Sequence, residues 1–222
     1  MTGSDGNDEG GGHYASPPCF MHELEPEAAR AAASDKVAAT DVARWRKAER
    51  ERLIAERLAI PADTRAAHAG RIAERLDGAM GDVEGRIVAL YWPFRGEPDL
   101  RGWAQRVIDR GGTIALPVVV EKRAPLVFRA WKPGDRLEKG VWNIPFPADG
   151  AVVTPDIVVS PVVGFDGGHY RLGYGGGFYD RTLAAMGRKP AIFGVGYAMQ
   201  RIPTIYPQPH DIPMDVVLTE AG

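Results

Sequence analysis

A chain of 222 residues, 45% hydrophobic and 25% charged, is long enough to bury the core of one α/β domain. Its 27 lysines and arginines nearly balance 29 aspartates and glutamates, and the net charge of -2 gives no broad electrostatic case for nucleic-acid or membrane partners. The single cysteine, Cys19, excludes a disulfide within the chain.

The N-terminal stretch Met1–Gly12 is acidic and glycine-rich and is expected to be disordered. It has neither the basic nor the apolar region of a secretion signal, and no apolar run approaches the ~20 residues that span a bilayer. The sequence therefore reads as cytoplasmic. Residues 1–40 read as a partly disordered extension, and residues 41–222 as an α/β domain. Within the extension, Tyr14–Pro18 resists regular structure and Ala28–Ala33 favours helix. Cys19 and His22 lie there with no chemical partner placed by any local pattern.

From Asp41 to Leu58 the composition is helical, with Arg44, Arg46, Lys47, Arg50, Arg52 and Arg57 interleaved with glutamates. Mixed signs suit a solvated helix face with i,i+4 pairs. A second helix should open near Pro61, with Ala66, Ala69, Ile72, Ala73, Leu76 and Met80 on its apolar face. Strands are expected at Ile87–Trp92, Thr113–Val120, Phe128–Trp131, Asp156–Val163, Ala191–Tyr197 and Asp215–Thr219. Helices are expected at Asp99–Arg110 and Phe178–Met186. Apolar runs separated by helices indicate a largely parallel sheet covered on both faces. Ligands bind such sheets beyond the carboxyl ends of the strands.

The most informative segment is Arg171–Arg181, which joins a strand to a helix and holds four glycines in the five positions Gly173–Gly177. Such a loop allows close backbone approach to a ligand. Its N–H groups and the following helix N-terminus suit phosphate. It is neither a Walker A loop nor the Gly-x-Gly-x-x-Gly fingerprint. The alternative is a flexible turn. Asp180 either helps hold Mg²⁺ or complements the helix dipole. Asp215 reads first as a turn residue. Trp92 and Glu97 end a strand at the ligand edge, where they either meet a flat ring or serve as core residue and loop charge.

In combination these segments resemble the 5-formyltetrahydrofolate cyclo-ligase family over about Arg44–Glu220. The marks are a basic first helix, Leu90-Tyr91-Trp92 before Gly96-Glu97-Pro98-Asp99, and Trp142-Asn143-Ile144-Pro145. Pro161–Asp166, the loop Arg171–Arg181, Met214-Asp215 and Leu218-Thr219-Glu220 follow in order. The resemblance implies a three-layer Rossmann-like sandwich with a largely parallel sheet, preceded by the basic helix. It also implies ATP-dependent conversion of 5-formyltetrahydrofolate to 5,10-methenyltetrahydrofolate, with ADP and phosphate as the other products. No enzyme nucleophile is implied. Arg46, Lys47, Arg50 and the run Arg171, Leu172, Gly173, Tyr174, Gly175, Gly176, Gly177, Phe178 and Tyr179 would hold ATP. Trp92, Glu97, Tyr174 and Phe178 would line the folate site, and Asp180 and Asp215 would hold Mg²⁺.

Three positions depart from the family pattern. Arg46 stands where Lys is frequent, Gly176 where the loop often carries Lys, and Phe178 where a Tyr is usual. The departures at Gly176 and Phe178 leave a non-catalytic folate- or nucleotide-binding paralogue as the alternative reading.

Overall fold

The computed structural model describes residues 21–222, with side chains from Ala38 onward. The expected disorder of Met1–Gly12 and the thiol of Cys19 lie outside the described residues, as does the side chain of His22. The chain divides into two compact units, Met1–Asp41 and Val42–Gly222. In the first, the described backbone is helical from Met21, through the alanine-rich stretch that favours helix. The helix, α1 (Met21–Ala59), continues into the second unit and stops before Pro61, which disfavours helical backbone at the preceding Ile60.

The second unit carries the remaining elements. Helix α2 (Ala62–Met80) buries Ala69, Ile72, Ala73 and Leu76, a spacing that puts all four on one face. It ends at Gly81, whose φ of 66° lies in the left-handed region. Strands β1 (Ile87–Ala89), β2 (Thr113–Val118), β3 (Val127–Ala130) and β6 (Val152–Val153) join β7 (Ile157–Pro161), β10 (Ala191–Val195) and β11 (Val216–Leu218) in one seven-stranded sheet. Its order is β11-β10-β7-β1-β2-β3-β6. The five strands from β11 to β2 run parallel, whereas β3 pairs antiparallel with β2, and the edge strand β6 antiparallel with β3.

Alternation along the strands feeds two hydrophobic layers. Val88, Ile114, Leu116, Ile157 and Val159 pack with α2 and with Trp103 and Val107 of α3 (Arg101–Asp109). Ala89, Ala115, Val158 and Ile192 pack on the other face with Leu183 of α4 (Phe178–Ala185). Helices thus cover both faces, giving the expected three-layer Rossmann-like α/β sandwich. Leu53 of α1 enters a third cluster with Val163, Leu172, Ile202 and Ile205.

Two short antiparallel hairpins complete the unit: β4 (Leu137–Lys139) with β5 (Pro145–Pro147), and β8 (Gly164–Phe165) with β9 (Arg171–Leu172). Among the described residues, no helix is long and apolar enough to cross a membrane.

Candidate active site

The chain passes from β1 to β2 on one side, yet β7 and β10 build outward from β1 on the other. Such a reversal of direction opens a crevice at the carboxyl ends of the central strands. The crevice here is a cavity of about 430 Å³. It is walled by the segment after β1, the tip of the β4–β5 hairpin, the loop Arg171–Asp180, one face of α1, and His210 and Asp211.

One end of the cavity is formed by the glycine loop and by Arg46 and Arg50. Gly175 and Gly177 adopt φ of 91° and 62°, and Gly177 caps α4 in the left-handed conformation. A Cβ on Gly175 would lie 3.4 Å from the Arg50 guanidinium carbon. Arg50 Nε donates to the Gly173 carbonyl at 2.5 Å, the only hydrogen bond it makes among the described residues. Burial, followed by the nearby charge of Arg46, holds its acidity above the ordinary arginine level. Arg46 and Arg50 are four residues apart on one face of α1 and both line the cavity. Lys47, expected with them, is exposed and does not line it, because one residue along a helix turns the side chain by about 100°.

Several charges expected to face phosphate are already committed. Arg46 donates to Asp211 Oδ2 at 2.5 Å and to the carbonyls of Ile205 and Tyr206 at 2.9 Å. Arg171 is buried, donates to Asp180 Oδ1 at 2.6 Å and to the Ile212 carbonyl at 3.1 Å, and lies over the Tyr179 ring. At Gly176, a Cβ would stand 2.8 Å from the Phe178 ring. Phe178 therefore fills the space that a side chain at position 176 would need.

The two aspartates assigned to Mg²⁺ are not brought together. Asp180 lies in the first turn of α4 and lines the cavity. Asp215 precedes β11 at the opposite edge of the sheet, where it accepts the Ile192 N–H at 2.7 Å and pairs with Lys189 at 3.0 Å. Lys189 follows the C-terminal end of α4, so the helix separates the two carboxylates. The turn reading of Asp215 fits its position, and the metal assignment does not. Asp211, a residue the sequence patterns did not single out, also lines the cavity, as does Glu97.

The other end is aromatic. Phe94 and Trp142 stack with ring centres 6.2 Å apart and planes 7° apart, and Tyr174 packs against both. Trp92 stands edge-on to Trp131 at 6.0 Å. Trp142 and Asn143 hold φ of 57° and 58° at the hairpin tip, a conformation that non-glycine residues rarely adopt.

Glu97 closes this end. Arg95 and Gly96 both have positive φ, so Phe94–Glu97 forms a tight turn in which Glu97 Oε2 accepts the Phe94 N–H at 2.9 Å. Glu97 Oε1 lies 3.0 Å from the Tyr174 hydroxyl. Burial pushes the Glu97 carboxyl up to about 7, against the opposing charge of Arg57.

Arg57 was expected on a solvated face; instead it has no solvent exposure. It donates to the carbonyls of Arg95 and Val162 and, at 2.5 Å, to the Tyr174 hydroxyl. The spacing Arg46, Arg50, Leu53, Arg57 runs along one helix face. Anchoring that stripe on the apolar Leu53 would have marked Arg57 as inward-facing.

Fold and site together define an α/β protein whose crevice has a glycine- and arginine-lined end and an aromatic end. The model of the 5-formyltetrahydrofolate cyclo-ligase family matches residues 42–220. The chain belongs to that family. Its similarity to the 5-formyltetrahydrofolate cyclo-ligase of Mycolicibacterium smegmatis is 29% identity over 179 residues, covering 77% of this chain and 91% of the relative. With that of Escherichia coli it shares 32% identity over 144 residues, 62% of this chain and 79% of the relative. The solution structure of Aquifex aeolicus 5,10-methenyltetrahydrofolate synthetase superposes with a TM-score of 0.69 at 28% identity, covering 80% of this chain and 90% of that one. The activity of the chain is that of its family, ATP-dependent conversion of 5-formyltetrahydrofolate to 5,10-methenyltetrahydrofolate.

Proposed function

We propose that ring closure takes place in the cavity at the carboxyl edge, with ATP phosphates at its glycine end and the folate ring at its aromatic end. The observation that carries this reading is the single cavity wall, which runs from Arg50 and Gly175 to Glu97 and Trp92. ATP transfers its γ-phosphoryl group to the formyl oxygen, and ADP leaves. The folate's N10 then attacks the activated carbon, loses its proton, and expels phosphate.

Such a reaction needs positioning and charge neutralisation more than a nucleophile. Arg50 and the N–H groups of Gly173–Gly177 face the phosphates. Arg171 acts indirectly by fixing Asp180, and Arg46 by fixing Asp211. Trp92, Phe94, Trp142 and Tyr174 clasp the flat ring, while Glu97 accepts hydrogen bonds from its N–H donors.

Mg²⁺ fits this donor set. Such an ion is typically held by one or two carboxylates together with phosphates, and Asp180 keeps Oδ2 clear of the hydrogen bonds made by Oδ1. Asp180 would hold it, with Asp211 nearby, and the ion would neutralise charge on the phosphate oxygens. The catalytic unit is residues 41–222, with residues 1–40 as an extension and the cytoplasm as the compartment.

Phosphate release tests the proposal. It should occur with ATP, Mg²⁺ and 5-formyltetrahydrofolate together and stop when the folate is withheld. Release that ignores the folate would remove it from the cavity. No release at all would favour a binding protein that has lost turnover.

A further inference from the structure

Arg57 is a fully buried cation that makes no ion pair among the described residues. A guanidinium in such a setting is strongly unfavourable unless its donors are satisfied and its charge is used. Each of its three nitrogens donates one hydrogen bond, two of them to carbonyls and one to a hydroxyl. Its charge faces Glu97 across that hydroxyl.

A tyrosine hydroxyl has one proton to donate. Because Arg57 Nη2 donates to Tyr174 Oη, that oxygen acts as acceptor on one side. Its own proton then goes to Glu97 Oε1 at 3.0 Å in preference to the Phe94 carbonyl at 3.4 Å. Glu97 Oε2 is held by the Phe94 N–H, and the turn carrying Phe94 is itself pinned where Arg57 Nε meets the Arg95 carbonyl. One side chain therefore sets both the position of the carboxylate and the direction of its tyrosine donor.

We propose that Arg57 is a positioning residue for substrate binding, which aims the Tyr174 proton at Glu97 and holds the Glu97 carboxyl in place as an acceptor for the N–H groups of the folate ring. The inference rests on the reading of Glu97 as a substrate contact. The other titratable groups facing Glu97 are the hydroxyls of Tyr91 after β1, Tyr174 in the glycine loop, Tyr179 on α4 and Tyr197 after β10. All four are pushed upward, chiefly by burial, and stay neutral. Arg57 is thus the cation opposing the effect of burial on Glu97, ahead of the hydrogen bonds from Phe94 and Tyr174.

The test uses the full chain with Arg57→Met, Arg57→Lys and Tyr174→Phe. Ionisation of Glu97 is followed in ligand-free protein by the carboxyl ¹³C signal, beside the pH profile of kcat/KM and separate KM values for folate and ATP. Arg57→Met should raise the Glu97 midpoint by about one unit or more, because a nearby opposite charge is lost. The acid limb of kcat/KM should move with it, and the folate KM near neutrality should rise about tenfold, while the ATP KM hardly moves. Arg57→Lys should recover part of the shift. Tyr174→Phe should move the midpoint the same way by less. A folded Arg57→Met protein with the wild-type midpoint would overturn the proposal. If that variant fails to fold, an unmoved midpoint in Tyr174→Phe overturns it instead. A shifted midpoint with an unmoved folate KM would keep the coupling of Arg57 to Glu97 and overturn the assignment of Glu97 to the substrate.

Discussion

Arg171 Nη2 lies 2.6 Å from Asp180 Oδ1, so the buried arginine that opens the glycine loop fixes the carboxylate that closes it. Asp180 is thereby aimed into the cavity, whereas Asp215 sits beyond the far end of α4. Asp180→Asn should raise the Mg²⁺ concentration needed for half-maximal rate far more than it raises the folate KM. Asp215→Asn should leave the Mg²⁺ dependence unchanged. Titration of the initial rate with Mg²⁺ in the two variants checks this, and equal effects would return Asp215 to the metal site.

Gly175 combines a φ of 91° with close approach to Arg50. Gly175→Val should strain the backbone by about 1–3 kcal/mol. It should also displace the Arg50 guanidinium, so ATP affinity should fall more than the loss of stability explains. Calorimetric titration with ATP on the folded variant decides it; unchanged affinity would take the loop out of the site.

Arg50 and Arg52 offer an internal control on one helix. Arg52 pairs with Glu49 and with Glu56 at 2.7 Å on the exposed face, contacts that contribute about 0.3–0.5 kcal/mol each. Arg50→Ala removes a cation from the phosphate end, where a charge-assisted hydrogen bond is worth about 1.5–3 kcal/mol. The ATP KM should therefore rise about tenfold or more in Arg50→Ala and stay near wild type in Arg52→Ala. Equal, small changes would return Arg50 to a structural role.

Glu97 should leave a mark on stability against pH. Its carboxyl is raised from 4.5 to about 7 in the fold, so the folded state binds the proton more tightly than the unfolded chain. The stability it contributes is full below about 4.5 and is lost as pH rises through about 7. Glu97→Gln abolishes this titration. The stability of the variant relative to wild type should grow from pH 5 to pH 8 by up to about 3 kcal/mol, at 1.36 kcal/mol per unit. Urea unfolding at the two pH values measures it, and a flat difference would contradict the burial of an ionisable Glu97.

The five parallel strands were legible because each lies in an apolar run, with α3 between β1 and β2 and α4 between β7 and β10. The hairpins β4–β5 and β8–β9 were not, since each strand is two or three residues long and β5 contains two prolines. Long-range pairing specifies them, and no local pattern records it. The glycine loop announced itself through composition. Arg57 did not, because a charged residue among charged neighbours reads as solvated until Tyr174, 117 residues further along the chain, is seen to receive it. Asp211 was hidden in the same way, since its partner Arg46 lies 165 residues away.

The most direct test of the central claim is absorbance at the methenyl-folate band after mixing protein, ATP, Mg²⁺ and 5-formyltetrahydrofolate. The band should grow in step with ADP and phosphate, one of each per turnover, and should not appear without ATP. ATP hydrolysis with no methenyl product would contradict ring closure in this cavity.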